Sequence, residues 1–254
     1  MISIVILGTG NVAKHLFDAF MTQNGIEIIQ LYGRTQNALS YFNNQVNTTT
    51  DLSKIKTADI YLVAISDDAI SEVSKFLVGK KGLIVHTSGS IPMSALPHKH
   101  RRGVFYPLQT FSANRKVNFK EIPICIEVEN EEDNELLNEL ASAISDNVIQ
   151  IDNDQRKALH LAAVFANNFT NHMYHTAQEI CLQNDVSFEL LFPLIKETAS
   201  KIQDLSPLDA QTGPARRSDT GTLEKHLTQL KNKKHKKIYT LLSESIRKTY
   251  GKKL

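Results

Sequence analysis

Three small residues, Gly8, Gly10 and Ala13, have the spacing G-x-G-x-x-A, directly after an apolar run and before an amphipathic stretch. This spacing is typical of a strand-to-helix turn that binds the pyrophosphate of a dinucleotide. Gly8 permits the tight turn, Gly10 lets the backbone approach phosphate, and the first N–H groups of the helix attract the negative charge. A plain glycine-rich turn is the alternative. The predicted contacts are Gly8, Thr9, Gly10, Asn11 and Val12.

The end of the second apolar run predicts which dinucleotide binds. An acidic residue there would hydrogen-bond the ribose of NAD, but the sequence reads Tyr32-Gly33-Arg34-Thr35. Arg34 can pair with a 2′-phosphate, and the Thr35 hydroxyl adds a donor. Arg34 could also be an ordinary surface charge, although the missing acid argues against NAD in either case. We therefore predict NADP(H) as the cofactor.

Two short polar segments follow later apolar runs, where ligands bind in parallel sheets. Ser66, Asp67 and Thr87 are predicted to border the nicotinamide end of the cofactor. Ser88 is a candidate catalytic residue because its hydroxyl could bond the cofactor or a substrate carboxylate. Small hydroxyl residues after strands also often simply cap the next helix. His86 lies inside the apolar pattern and is interpreted as a core histidine.

A long helical pattern over residues 155–183 carries an uncharged polar stripe of His160, Asn167, Asn171 and Gln178 opposite an apolar face. A stripe without Lys or Glu is typical of a polar cleft or an interface. Hydride transfer to a carbonyl or imine needs a proton donor, and histidine titrates near neutral pH. His160 is the predicted donor. Asn167 or Asn168 could orient a substrate oxygen, or could belong to an interhelical polar network.

The segment 212–222 is a Gly- and Pro-broken loop that enters a helix, with Arg216, Arg217 and Asp219 concentrated at the start of that helix. Such a loop could bind an anionic substrate and close over it. Alternatively, Asp219 could cap the helix while the arginines pair with acidic residues elsewhere.

The elements that must position these residues change in type along the chain. Short β-branched runs alternate with helical stretches up to residue 151, and only helical periodicity follows. This predicts an α/β domain with a doubly wound, mainly parallel sheet over residues 1–151, and an all-α domain over residues 152–254. The predicted strands are 2–7, 26–32, 60–65, 83–87, 103–106, 122–128 and 148–151. The predicted helices are 11–23, 69–78, 131–145, 155–183, 187–205, 221–230 and 234–250.

Composition excludes several classes of protein. A chain of 254 residues with 41% hydrophobic and 22% charged residues is typical of a globular protein. No apolar run has the length of a membrane span, so we expect a cytoplasmic protein. Cys125 and Cys181 are the only cysteines and lie far apart, so neither a disulfide framework nor a metal site is indicated.

The charge is distributed unevenly, since residues 225–254 contain 10 of the 29 Lys/Arg and one of the 27 Asp/Glu. A basic tail could bind nucleic acid. Its lysines alternate with apolar residues at helical spacing, and aromatic residues are few, which favours a solvated helix face instead. Nucleic-acid and membrane binding are therefore not favoured.

These segments together resemble the superfamily of 6-phosphogluconate dehydrogenase and pyrroline-5-carboxylate reductase. The similar segments are GTGNVA, YGRT and the run ADIYLVAISDD. The motifs HTSGS, YPLQTFS and TGPARRSD resemble more closely a bacterial Rossmann-like family whose C-terminal domain has no assigned function. Two positions depart from that family, since Tyr106 stands where His is expected and Ser218 where Gly is expected. The resemblance implies NADP-dependent oxidoreduction in a dimer paired through C-terminal helices.

We therefore expect an NADP(H)-dependent oxidoreductase that transfers a hydride to or from a small polar substrate such as a keto, hydroxy or imino acid. The alternative is an NADP(H)-binding sensor without catalytic activity. The long apolar face of the helix at 155–183 also predicts a homodimer.

Overall fold

The computed structural model describes residues 1–250, and its N-terminal part is built on an eight-stranded sheet. The strand order is β3-β2-β1-β4-β5-β6-β7-β8, and β6 and β7 form the antiparallel pair in an otherwise parallel sheet. The strands are β1 (Ile2–Leu7), β2 (Ile26–Tyr32), β3 (Thr48–Thr49), β4 (Ile60–Val63), β5 (Leu83–His86), β6 (Arg102–Pro107), β7 (Ile124–Val128) and β8 (Val148–Gln150). This order is that of a doubly wound nucleotide-binding fold.

Helices cover both faces of the sheet, so the strands are apolar on both sides. In β1, Ile4 and Ile6 pack on one face, where α1 (Asn11–Met21) and α3 (Asn134–Ile144) lie. Val5 and Leu7 pack on the other face with residues of the short helix α2 (Ile70–Ser74). The continuous burial of β1 explains why its sequence shows no alternation.

The helix after the sheet begins with a complete capping box. Asp152 accepts hydrogen bonds from the backbone N–H groups of Asp154 and Gln155, and the Gln155 side chain accepts one from the Asp152 N–H. This helix, α4 (Asn153–Ala163), runs into a π-helical segment, Val164–Phe169, and then into α5 (Thr170–Leu182).

The chain divides into two compact units, Met1–Asn168 and Phe169–Leu254. The first unit includes α4, because Arg156 and His160 contact the loops of the sheet. The second unit contains α5, α6 (Phe192–Ser200), α7 (Pro207–Ala210), α8 (Thr220–Gln229) and α9 (Lys233–Tyr250).

Partly buried polar pairs join the helices of the second unit. His235 of α9 is buried and its Nε2 lies 3.1 Å from Oε2 of Glu179 in α5. His226 of α8 and Tyr239 of α9 are 2.7 Å apart, from Nδ1 to the hydroxyl oxygen. In the described chain, residues 1–250, no helix is long and apolar enough to cross a membrane, and no cluster of three potential metal ligands occurs.

The predicted fold class is confirmed: a Rossmann-type, mainly parallel sheet precedes a helical region. The prediction of one regular helix over 155–183 was wrong, because the π-helical segment interrupts it. A π-helix has more residues per turn than an α-helix, so the periodicity that aligned His160 with Asn171 and Gln178 does not hold across it. The two-residue strand β3 and the one-turn helix α7 were not predicted.

Candidate active site

A cavity of about 530 Å³ lies at the carboxyl ends of the central strands. Leu7 of β1 pairs with Val63 of β4, so the two strands end at the same level and the loops that follow meet there. This is the switch point at which doubly wound sheets bind ligands. The cavity is lined by residues 8–12, 32–34, 64–66, Ala69, Val73, Thr87 and Phe111.

The floor of the cavity accepts only glycine at position 8. Gly8 has φ of +135°, and an added β-carbon would overlap the carbonyl oxygen of Ala64. Gly10 is followed by the N-terminus of α1, an 11-residue helix whose first N–H groups lack partners within the helix. This floor fits a pyrophosphate, which needs close backbone approach and N–H donors.

The edge of the cavity is positively charged. Arg34 is exposed and is the one charged side chain among the described residues that line the cavity; no carboxylate is among them. An extra phosphate on the ribose would meet a guanidinium there and, among these lining residues, no opposing charge. The residues present fit NADP(H) better than NAD(H).

Eight of the ten predicted cofactor residues line this cavity: Gly8, Thr9, Gly10, Asn11, Val12, Arg34, Ser66 and Thr87. The other two lie beside it. The Thr35 hydroxyl accepts a hydrogen bond from the Ala38 N–H, and the Asp67 carboxylate accepts one of 2.6 Å from the Ser90 hydroxyl.

Phe111 also lines the cavity, although the sequence did not identify it. It lies in the loop after β6, which two residues of α1 hold in place. Asn11 donates from Nδ2 to the Phe111 carbonyl at 3.0 Å, and His15 donates from Nε2 to the Ser112 carbonyl at 3.0 Å. The Asn11 side chain therefore positions this loop, while its backbone faces the cavity.

The Ser88 hydroxyl lies in the turn after β5 and is largely occupied within that turn. Ser88 is 8% exposed, and its Oγ accepts hydrogen bonds from the N–H groups of Ser90 and Ile91 at 3.2 and 3.1 Å. The Ser88 N–H donates to Nδ1 of His86. The Ser88 hydroxyl therefore stabilises its own turn.

His160 contacts this turn and a tyrosine of β6. Nδ1 of His160 lies 3.0 Å from the hydroxyl oxygen of Tyr106, and the two rings meet edge to face. An added β-carbon on Gly89 would lie 2.6 Å from His160 Nδ1 and 2.7 Å from Tyr106 Cζ. Gly89 thus packs its bare backbone against both rings, and a larger residue would displace them.

Burial affects the ionisation of this region. Tyr106 is 8% exposed, and burial raises its pKa to about 12, so the phenol stays protonated at neutral pH. Burial, together with the nearby Arg156 guanidinium, lowers the pKa of His86 to about 4. His86 is therefore neutral, as expected for a core histidine.

Arg156 is fully buried one turn before His160 and was not identified from the sequence. Its Nη1 donates to the carbonyls of Ser88, Gly89 and Ile91 at 3.3, 3.2 and 2.8 Å. Its Nη2 forms a 3.0 Å ion pair with Glu127 of β7. The guanidinium therefore clamps the turn that packs against His160.

The remaining site candidates lie further along the chain. Asn167 and Asn168 are exposed and belong to the π-helical segment, a conformation that occurs frequently at functional sites. Arg216 donates to the carbonyls of Asp209 and Gln211 at the end of α7, whereas Arg217 is exposed.

Asp219 caps α8 by accepting hydrogen bonds from the Thr222 N–H and hydroxyl, and these bonds lower its pKa. Ser218, at the position where Gly was expected, has a positive φ of 55°.

Two protein families match the chain. The family described as "NADP oxidoreductase coenzyme F420-dependent" matches residues 3–87, and the domain of unknown function DUF2520 matches residues 122–246. No functionally curated protein matches the chain in sequence.

Several solved structures are similar over nearly the full length. A Bacteroides fragilis protein assigned as an NADP oxidoreductase is 42% identical, with a TM-score of 0.89 over 97% of this chain and 98% of that one. A pyrroline-5-carboxylate reductase from Coxiella burnetii is 17% identical, with a TM-score of 0.59 over 99% and 94%. A reductive aminase from Aspergillus terreus, solved with NADPH and ethyl levulinate, is 14% identical, with a TM-score of 0.72 over 99% and 95%. The last two show a shared fold.

Proposed function

This chain belongs to the NADP oxidoreductases that join a Rossmann-type domain to a DUF2520 domain, and we propose that it reduces a carbon–oxygen or carbon–nitrogen double bond in a small polar substrate. NADP(H) is its cofactor, and when bound it supplies the hydride. The protein must then hold the cofactor, hold the substrate and supply a proton.

The observation that carries this proposal is that His160 packs on the turn that begins at the edge of the cofactor cavity. Thr87 lines the cavity, and Gly89, two residues later, contacts the His160 ring. Two residues of chain span at most about 7 Å, so the ring lies close to the cavity edge. We assign His160 as the residue that gives a proton to the substrate heteroatom.

The other predicted site residues have supporting roles in this proposal. Asn167 and Asn168 would orient the substrate, and Arg216, Arg217 and Asp219 would belong to the loop that closes over it. Ser88 would act through the turn that it stabilises. We also propose that residues 1–151 bind the cofactor and that residues 152–254 bind the substrate and the partner subunit.

The first test is a fluorescence titration with NADPH and NADH, followed by NADPH oxidation assays with a panel of small keto and imino acids. Ethyl levulinate belongs in the panel, because a protein of the same fold was solved with it. Oxidation of NADPH with one panel member supports the reductase, and His160→Gln should then lower kcat by about 10²- to 10⁴-fold. Tight NADPH binding with no turnover across the panel would favour the sensor.

Cofactor selectivity tests the predicted role of Arg34. Arg34→Ala should weaken NADPH binding by at least about tenfold and leave NADH binding nearly unchanged, because only NADPH carries the phosphate that pairs with the guanidinium. Equal loss of affinity for the two cofactors would contradict this role.

We further propose that the protein is a homodimer. Large apolar side chains of the second unit are exposed, including Leu182 (77%), Leu190 (71%), Leu241 (68%) and Leu194 (62%). Several large exposed apolar side chains within one unit are typical of a surface that associates with another protein. Light scattering should give twice the chain mass, and a stable monomer at micromolar concentration would reject the dimer.

The two free thiols, Cys125 and Cys181, support a location in the reducing cytoplasm.

A further inference from the structure

We propose that Tyr106 is a positioning residue that holds the His160 ring at Nδ1, so that Nε2 is the atom that gives the proton to the substrate. This proposal deepens the reductase function and rests on it. It assigns a role to the tyrosine that stands where the resembling family suggested a histidine.

The hydrogen-bonding capacity of the two groups determines the direction of their bond. The phenol of Tyr106 keeps its proton at neutral pH, and its hydroxyl has no other hydrogen-bond partner among residues 1–250. When the His160 ring is neutral, the hydroxyl therefore donates its proton to Nδ1. A neutral imidazole has one N–H, so this bond places the ring proton on Nε2.

The same contact serves the protonated ring. The imidazolium carries protons on both nitrogens, and its Nδ1–H then donates to the phenol oxygen of Tyr106. In the reduction, the substrate carbon takes the hydride, and the substrate oxygen or nitrogen takes the Nε2 proton. The two electrons that reduce the substrate would come from the bound cofactor. The ring is first left neutral with its remaining proton on Nδ1, and exchange with water then returns the ring proton to Nε2, the resting tautomer in which the Tyr106 hydroxyl donates to Nδ1. No charge develops on the phenol.

The turn after β5 fixes the two rings from the other side. Gly89 leaves no room for a β-carbon beside His160 Nδ1, and Arg156 holds the Gly89 carbonyl at 3.2 Å. The ring is thus bonded at one edge and packed against backbone, which limits rotation about its side-chain bonds. Holding a reacting group in one orientation in this way can raise the rate of the chemical step by a large factor.

The charged groups around the pair do not compete for the hydroxyl. Arg156 already donates to three carbonyls and to Glu127, and a guanidinium cannot accept a hydrogen bond. Cys125, opposite Tyr106 in β7, is buried, and burial raises the pKa of its thiol, so it remains uncharged.

The experiment that tests the ring assignment needs no substrate. The protein is labelled with ¹⁵N-histidine, and the His160 signals among the nine histidines are identified by their loss in His160→Gln. At mildly alkaline pH, wild-type protein should show a protonated Nε2 and an unprotonated Nδ1. Tyr106→Phe should give a mixture of both tautomers. A protonated Nδ1 in the neutral wild-type ring, or a spectrum unchanged by Tyr106→Phe, would overturn the proposal.

Kinetics then test the consequence for catalysis. Tyr106→Phe and Gly89→Ala should each lower kcat about 10- to 100-fold, with NADPH affinity and substrate KM changed less than about twofold. In the His160→Gln background, Tyr106→Phe should cause no further loss. Tyr61→Phe is the matched control, because it removes a buried hydroxyl that bonds Lys56 and Ala58 outside the site; its kcat should equal that of wild type.

The outcomes separate the two proposals. If wild-type protein oxidises NADPH and Tyr106→Phe retains its kcat, the positioning role is wrong and the reductase stands. If no panel substrate is reduced, the reductase is wrong, and the nitrogen spectrum still decides whether Tyr106 fixes the ring.

Discussion

Replacing Arg156 with methionine tests whether one buried cation holds the site turn in place. Methionine fills a similar volume but makes none of the contacts of the guanidinium. The change removes the bonds to the carbonyls of Ser88, Gly89 and Ile91 and the ion pair with Glu127.

The expected loss follows from the burial of these groups. Arg156 is 0% exposed and the Glu127 side chain is 14% exposed, so the pair lies where water cannot replace the lost partner. Breaking a buried ion pair by removing one partner costs about 3 to 5 kcal/mol, and orphaned carbonyls cost about 1 to 3 kcal/mol each when they stay dry. The costs of the broken ion pair and of the orphaned carbonyls do not simply add, because the turn can move and let water reach the carbonyls. We expect the free energy of unfolding to fall by about 3 to 5 kcal/mol.

Urea unfolding followed by circular dichroism measures this loss, and dichroism suits a chain without tryptophan. Glu127→Gln is the matched comparison, because glutamine keeps an acceptor for Nη2 and the bonds to the turn but leaves the buried cation without its counter-charge; about 3 kcal/mol should be lost. Hydrogen exchange at the amides of Ser90 and Ile91 should accelerate in Arg156→Met, since these amides bond the Ser88 hydroxyl within the clamped turn. A loss below about 1 kcal/mol with unchanged exchange would refute the role of Arg156.

Two further predictions concern stability. The pKa of His86 is about 4 in the folded protein, below the usual 6.5, so the unfolded chain binds the proton at a higher pH. Above pH 6.5 this difference contributes about 3 kcal/mol to the free energy of unfolding, and the contribution is lost as the pH falls to about 4. His86→Gln should show a smaller fall in unfolding free energy over that range, and an equal fall would contradict the assignment. Ser218→Gly should stabilise the protein by about 0.5 to 1 kcal/mol, because Ser218 has φ of 55°, which glycine adopts without strain. A lower urea midpoint would show that the position is not strained.

The parts of the fold that could be predicted are those where one local pattern determines the structure. β1 and β2 were predicted at the residues where they occur, because their buried β-branched runs are bounded by glycine and polar residues. The helix predicted from residue 155 begins at Asn153, and Asp152 caps it. β3 was missed because it has two residues and no hydrophobic pattern.

The parts of the site that could not be predicted depend on contacts between distant segments. Tyr106 and His160 are 54 positions apart, and nothing in either segment indicates that their side chains meet. Arg156 was overlooked because a charged residue on a helix is usually exposed. One signal was available: Arg156 precedes His160 by four positions, so both lie on one helix face. Phe111 was quoted within a motif, but its place at the cavity depends on the bond to Asn11.

The two edges of the sheet are very short. β3 has two residues and β8 has three, so each edge offers few free backbone groups to a strand of another molecule. Fibril growth by strand addition needs a long, regular template, which these edges do not provide. Neither edge therefore favours cross-β aggregation, and the helical surfaces are left as the place where the proposed dimer would form.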